Sequence, residues 1–323
     1  MFDSPRPICD YEGSRYSTEF WTQEREYEDR AERIALKKLL PPRGGTLIEI
    51  GAGAGRLADL YLGYDQIVLM DYARSTLVEA RERIARRFPD HAARFRFVAA
   101  DLYALPFVEG LFDTATMVRV MHHLADVPAA LAEIAVILKP NATFVVEFAN
   151  KRNLKAILRY LARRQSWSPF DPEPVEFVQL NFDFHPAWME ARLREAGFSV
   201  KNTLSVSHFR WALLKRLFPA RTLAAADGAL QGVGALRATR LTPSIFHQLQ
   251  APATNRVAPP GAFFRCPACK SGRVAESPNA VTCGECGRIW SVQDGIYEFK
   301  SSDVQLAHLP RPRRVPRHTP SAD

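Results

Sequence analysis

Thr46-Leu47-Ile48-Glu49-Ile50-Gly51-Ala52-Gly53-Ala54-Gly55-Arg56 is the stretch on which the fold turns. Its first half is a short apolar run, the pattern of a strand buried on both faces. Its second half alternates glycine with alanine. Glycine has no Cβ, so the chain can turn sharply there and a ligand can lie against bare backbone. The dinucleotide pattern G-x-G-x-x-G, begun at Gly51, requires a third glycine at the position held by Arg56. The pattern present is E-x-G-x-G-x-G.

Outward from this stretch, strands and helices alternate. Residues 66–71, 94–101, 112–120 and 141–150 read as strands, and 56–63, 74–88 and 128–139 as helices. Such alternation specifies a parallel sheet covered on both faces, with right-handed crossovers. Helices are predicted over 17–40, 153–164, 185–198 and 208–230, with Gly197 as a C′ residue. Strands over 198–207 and 242–250 complete an α/β, Rossmann-like, doubly wound fold with a mainly parallel seven-stranded sheet. A chain of 323 residues has room for that core and a smaller satellite.

Two acids follow the glycine loop at strand ends. Asp71 closes the second strand, where a carboxylate accepts hydrogen bonds from both hydroxyls of a ribose. Dinucleotide enzymes share that acid. Asp101 closes the third strand, where it can accept from an adenine amino group while Leu102 flanks the ring. Glu49, the glycines, Asp71 and Asp101 would then line one crevice at the carboxyl end of the sheet.

In this order, IEIGAGAGR, VLMDYA, FVAADLYALPF, FDTATMVRVMHHLADV, LKPNATFVVEF and FHPAWMEARLREAGFSV resemble the class I S-adenosylmethionine-dependent methyltransferases. The resemblance covers residues 40–200, and its texture is closest to the enzymes of quinone biosynthesis and related small-molecule pathways. It implies that Glu49, Gly51, Gly53 and Gly55 hold the methionine part of the cofactor and Asp71 the ribose. It implies that Tyr72 packs by the adenine, that Asp101 and Leu102 hold the adenine edge, and that backbone at Val118 and Arg119 faces the sulfonium. One departure is Asn141-Ala142, where the family has a glycine pair. Asparagine tolerates the left-handed conformation, so the turn is retained.

Methyl transfer from a sulfonium depends on placing the acceptor, and a general base is needed only for a protonated, poorly nucleophilic one. His122 and His123 follow the fourth strand on the side where an acceptor enters, and either can take a proton near neutral pH. Equally, that segment can pack under the next helix, with Asp126 capping the helix that begins near Pro128. Tyr11, Trp21, Trp167, Phe170 and Trp211 fall in segments expected to choose the acceptor, a small molecule or a lipid-like one.

Cys266, Cys269, Cys283 and Cys286 form two C-x-x-C pairs, a spacing that closes a four-thiolate, structural zinc site. A redox pair is the other possibility. Residues 266–299 resemble the small zinc-ribbon protein that activates methyltransferases acting on transfer RNA and translation factors, including its VQDGIYEF ending. The resemblance implies a ribbon that docks on the methyltransferase domain, with RNA contact as the alternative.

The formal net charge is +8. The excess sits in accessory stretches: Lys151 to Arg164, Arg210 to Arg221, and the tail from Arg311 to Arg317. These basic elements, interleaved with Leu, Phe and Trp, suit a solvated lid, an anionic membrane face or RNA. No uninterrupted apolar run of about 18 residues is present, and the first residues lack signal-peptide character, so a cytoplasmic protein is expected. The expected organisation is an N-terminal helical lid (1–40) and a methyltransferase domain (41–250) with acceptor lids at 150–185 and 208–240. A linker (251–262), a zinc ribbon (263–300) and a disordered tail (301–323) follow.

Overall fold

The computed structural model describes residues 7–13 and 25–300. The beginning of the helix predicted over 17–40, Trp21 and the basic tail lie outside the described residues. The body opens with α1 (Glu26–Leu39), β1 (Gly44–Ile50), β2 (Tyr64–Asp71), α2 (Arg74–Arg87) and β3 (Phe95–Ala99). It continues through β4 (Phe112–Met117), α3 (Val127–Ile137), β5 (Leu138–Ala149) and α4 (Leu154–Leu161). A small hairpin, β6 (Val175–Val178) and β7 (Asn181–Asp183), precedes α5 (Pro186–Glu195), β8 (Ser199–Val206), α6 (Ala212–Leu217), α7 (Ala220–Leu230) and β9 (Ser244–Gln250). The cysteine module adds β10 (Val274–Glu276), β11 (Ala280–Cys283), β12 (Ile289–Gln293) and β13 (Ile296–Glu298).

The body strands are ordered β3-β2-β1-β4-β5-β9-β8, with β1 to β5 parallel and β9 antiparallel to both its neighbours. The order reverses between β1 and β4, which opens a crevice at their carboxyl ends. Alternate residues of β1 explain why its sequence is apolar throughout. Ile48 and Ile50 enter the core on one face of the sheet, and Leu47 enters the core on the other.

Several local signals act as their chemistry requires. Asp126 caps α3, accepting from Ala129 N at 3.0 Å, Asn141 adopts φ 61°, and Gly197 follows α5 at φ 85°. One helix prediction fails. Residues 56–63 form only a 3₁₀ turn, Ala58–Leu60. Between Ile50 and Tyr64 the glycine loop takes up the first residues, and what remains is enough for one turn.

The sheet does not end at β3. β13 pairs with it in parallel, Ile296 opposite Phe97 and Glu298 opposite Ala99, and Phe299 N donates to Ala99 O at 2.7 Å. Cys266, Val281, Cys283, Trp290, Val292 and Phe299 belong to the same buried cluster as Phe107 and Phe112 of the body. Phe107 stacks on Phe264 at 5.9 Å between ring centres, and the Arg96 guanidinium lies 4.3 Å from the centre of the Phe263 ring. The segment over 251–262 is itself tied down, with Asn255 Nδ2 donating to Ala135 O and Leu138 O, both at 2.8 Å.

Candidate functional site

At the crevice, the glycine loop is shaped by its neighbours. Gly51 has φ 74°, and a Cβ there would sit 2.0 Å from Val120 Cγ2, so no other residue fits. Gly51 N and Ala52 N both donate to Met70 O, at 2.8 and 2.9 Å. The Asp71 carboxylate then clamps the loop, accepting from Gly53 N at 2.7 Å and from Ala73 N at 2.9 Å. Burial raises its pKa while those amides pull the other way. Gly53, at φ 51°, has open space where its Cβ would be. Asp101 accepts from Tyr103 N at 2.8 Å, which fixes its carboxylate at the strand end.

These residues surround one cleft of about 540 Å³, lined among others by Gly51, Gly53, Asp71, Tyr72, Asp101, Leu102, Val118, Arg119 and His123. Glu49, Gly55 and His122 lie outside its lining. Gly55 packs against Ala80 and Leu69 and so serves the loop's seat on α2 and β2. Glu49 is 3% exposed, and its Oε2 has no hydrogen-bond partner among the described residues. Burial pushes its carboxyl up to about 8, against the pull of Arg56 and the Tyr61 hydroxyl. A buried acceptor oxygen without a donor suits a cationic ligand group.

Helix α1 braces the loop from the other side. Its fully buried Glu32 accepts from Arg56 Nη2 at 2.6 Å and from Arg119 Nε at 2.7 Å. Burial alone would raise the Glu32 pKa, but Arg119 and Arg56 hold it below 4.5. Arg56 also reaches Asp29 at 2.6 Å. Arg119 itself adopts φ 60° and donates its backbone N–H to buried Glu147 at 2.9 Å. The arginine that breaks the dinucleotide pattern thus ties the glycine loop to α1, and Arg119 ties the segment after β4 to the same carboxylate.

Residues 10–13 act as a strap at the cleft. Tyr11 Oη meets His123 Nε2 at 3.0 Å, and His123 Nδ1 meets Leu180 O of the β6–β7 turn at 2.9 Å. Glu12 accepts from Arg74 N and Ser75 N at 2.7 and 3.0 Å, capping α2, and from Lys300 Nζ at 3.3 Å just beyond β13. Both ring nitrogens of His123 are therefore engaged. His122 has a buried Nδ1 without a partner among the described residues, and burial, His123 and Arg119 hold its pKa well below 6.5. At neutral pH its ring is neutral, and the same burial and neighbouring charges make it a weak base.

No sequence motif marks Glu32 or Asp183. Glu28 and Glu32 continue the stripe of Ala35 and Leu39 at helical spacing, so acids on a buried face were visible as a pattern. Asp183 carries no such signal, because only the hairpin brings it in. Burial raises it to about 6, against the pull of Arg159 and Arg210.

The four cysteines converge, all their sulfurs within 4.8 Å of one another. Cys266 and Cys286 are 3.6 Å apart, as are Cys269 and Cys283. Tetrahedral zinc at about 2.3 Å from each sulfur places them about 3.8 Å apart. Cys269 N donates to Cys266 Sγ at 3.3 Å and Cys286 N to Cys283 Sγ at 3.5 Å, so each turn is already wrapped around its first sulfur. The set fits a closed four-thiolate site.

A doubly wound sheet with a glycine loop and strand-end acids around one cleft is the arrangement in which open α/β sheets bind ligands. Residues 48–146 match the family described as a methyltransferase domain. An O-methyltransferase from Penicillium expansum, cnsE, is 31% identical over 36% of this chain and 43% of its own length. The 2-phytyl-1,4-naphtoquinone methyltransferase of Nostoc punctiforme is 26% identical over 45% of this chain and 75% of its own. The chain spans about half the length of most of the first curated relatives it matches. Among solved structures, an S-adenosylmethionine-dependent methyltransferase from Mesorhizobium loti aligns with a TM-score of 0.48 and 18% identity, over 69% of this chain and 99% of its own. No described helix is long and apolar enough to cross a membrane.

Proposed function

We propose that the chain transfers a methyl group from S-adenosylmethionine to a small-molecule or lipid-like acceptor. In this proposal residues 41–250 are the transferase unit, with 1–40, 150–185 and 208–240 closing over it. The observation that carries it is the Gly53–Asp71 clamp on the cleft, within a methyltransferase-domain match.

Bound S-adenosylmethionine supplies a methyl group on a sulfonium, already an excellent leaving group. Asp71 accepts from the ribose hydroxyls with the lone pairs that Gly53 and Ala73 leave free. Asp101 accepts at the adenine edge, with Tyr72 and Leu102 along the ring. Glu49 takes the ammonium, Gly51, Gly53 and Gly55 keep the loop against the methionine part, and backbone at Val118 and Arg119 faces the sulfonium. The strap of residues 10–13 excludes water. On the acceptor side, Asp183 is the proton acceptor and the neutral His122 a weaker one, while His123, bonded at both nitrogens, holds the strap.

Cys266, Cys269, Cys283 and Cys286 hold a structural zinc in a reduced, cytoplasmic setting, and the ribbon supports the edge of the sheet within the same chain. Calorimetric titration tests the cofactor assignment. S-adenosylmethionine is expected to bind one to one, NAD not at all, and D71A to weaken binding at least tenfold. Absence of heat with S-adenosylmethionine overturns the proposal.

A further inference from the structure

Helix α4 is amphipathic with its apolar stripe turned outward. Leu154, Leu158 and Leu161 stand at helical spacing on one face, Leu161 at 68% exposure, while Ala156 is buried against the body. Lys155 and Arg159 flank the stripe, Arg163 and Arg164 follow it, and the helix carries no acid. The same arrangement recurs on α6, where Leu213 and Leu217 are 65% and 64% exposed beside exposed Arg216. A third apolar point is the tip of the β6–β7 hairpin, with Phe177 and Val178 exposed.

The three elements gather around one carboxylate. Arg159 of α4 and Arg210, next to the first turn of α6, both act on the Asp183 carboxylate of β7. Glu28 of α1 pairs with Lys215 of α6 at 2.9 Å and with Arg210 at 3.6 Å, and the loop and hairpin carry Asp171, Glu173 and Glu176. Two of the loop and hairpin acids are turned to local bonds: Asp171 accepts from Glu173 N, and Glu176 from Leu180 N. A solvated lid has no use for exposed leucines, and phosphate recognition alone gains nothing from them. Basic residues around an aliphatic stripe match an interface that offers phosphates above and acyl chains beneath.

We infer that α4, α6 and the tip of the β6–β7 hairpin seat on an anionic phospholipid surface, leucines at the acyl boundary and arginines among the headgroup phosphates. Each basic residue near such a surface contributes about fivefold in partition at low salt, and the contribution fades as the Debye length shrinks. Such a seat brings the protein to a bilayer that can hold a lipid-soluble acceptor. That consequence rests on the methyltransferase proposal, whereas the binding itself needs no turnover.

The test is flotation of the full-length protein with phosphatidylcholine vesicles, with and without phosphatidylglycerol, at rising salt. The protein is expected to float with the anionic vesicles, and less so as salt rises. L158E/L161E and L213E/L217E are each expected to lose at least tenfold in partition while keeping the parent's thermal midpoint and its titration with S-adenosylmethionine. K155E/R163E should lose the anionic preference. No flotation at low salt overturns the inference, as does parent-like flotation of both leucine variants. So does a dimer in sedimentation that the leucine variants dissolve, since a second copy then covers the face. RNA binding that needs Lys155 and Arg163 but not the leucines assigns the face to nucleic acid and also overturns it. Flotation without any S-adenosylmethionine binding removes the methyltransferase proposal and leaves the membrane seat standing.

Discussion

Replacing Glu49 with glutamine separates the cost of burying its carboxyl from its use. In the folded protein burial lifts the group from 4.5 to about 8, so it is protonated at neutral pH, while in the unfolded chain it is ionised. The folded state therefore binds the extra proton between those two values. Stability from this group is fully present below about pH 4.5 and is lost as the pH rises through about 8. Moving a carboxyl over that interval corresponds to on the order of 5 kcal/mol between protonation states, an upper bound for a group that solvent reaches only slightly. Glutamine has no such interval. Urea unfolding of the parent and E49Q at several pH values should show the parent weakening by several kcal/mol relative to the variant between about pH 5 and pH 8. Calorimetry should show S-adenosylmethionine binding releasing a proton below about pH 8 in the parent and not in E49Q, which binds at least tenfold more weakly. Parallel stability curves for the two proteins would refute the role assigned to burial.

Glu32→Ala leaves Arg56 and Arg119 facing each other without their shared carboxylate, and is expected to cost about 3–5 kcal/mol in urea unfolding. A loss under roughly 1 kcal/mol would mean that water replaces the carboxylate. Elemental analysis should find one zinc per chain, and C283S should abolish it and lower the thermal midpoint of the whole protein, because the ribbon shares the sheet's buried cluster. Zinc-free protein with an unchanged midpoint would remove the structural role. Asp183→Asn should erase an acid limb near pH 6 in kcat/KM, leaving S-adenosylmethionine affinity unchanged. Persistence of the limb would assign it to another group.

The parts of this molecule legible in sequence are those set by local rules. A run buried on both faces, a glycine loop, capping Asp126 and the φ 61° turn at Asn141 each follow from neighbouring residues alone. The four cysteines are legible for the same reason, since their spacing is their geometry. What escaped was set by tertiary partners. The 3₁₀ turn at Ala58–Leu60 has helix-forming residues but too little chain between two strands. The β6–β7 hairpin turns through Leu180 at φ 53°, without the glycine or asparagine that marks such turns. Asp183 and the engaged state of His123 both depend on that hairpin, so neither was readable before it was placed.

The parallel pairing of β13 with β3 has a consequence for the newborn chain. The ribosome releases β3 about two hundred residues before its partner strand, which at ordinary elongation rates is on the order of ten to forty seconds. Throughout that wait one margin of the nascent sheet offers unsatisfied amides to any passing strand. β13 is thus a seal on that margin, and synthesis that stops short of Ile296 leaves the edge of β3 open. Quality control would meet such a chain through its open edge.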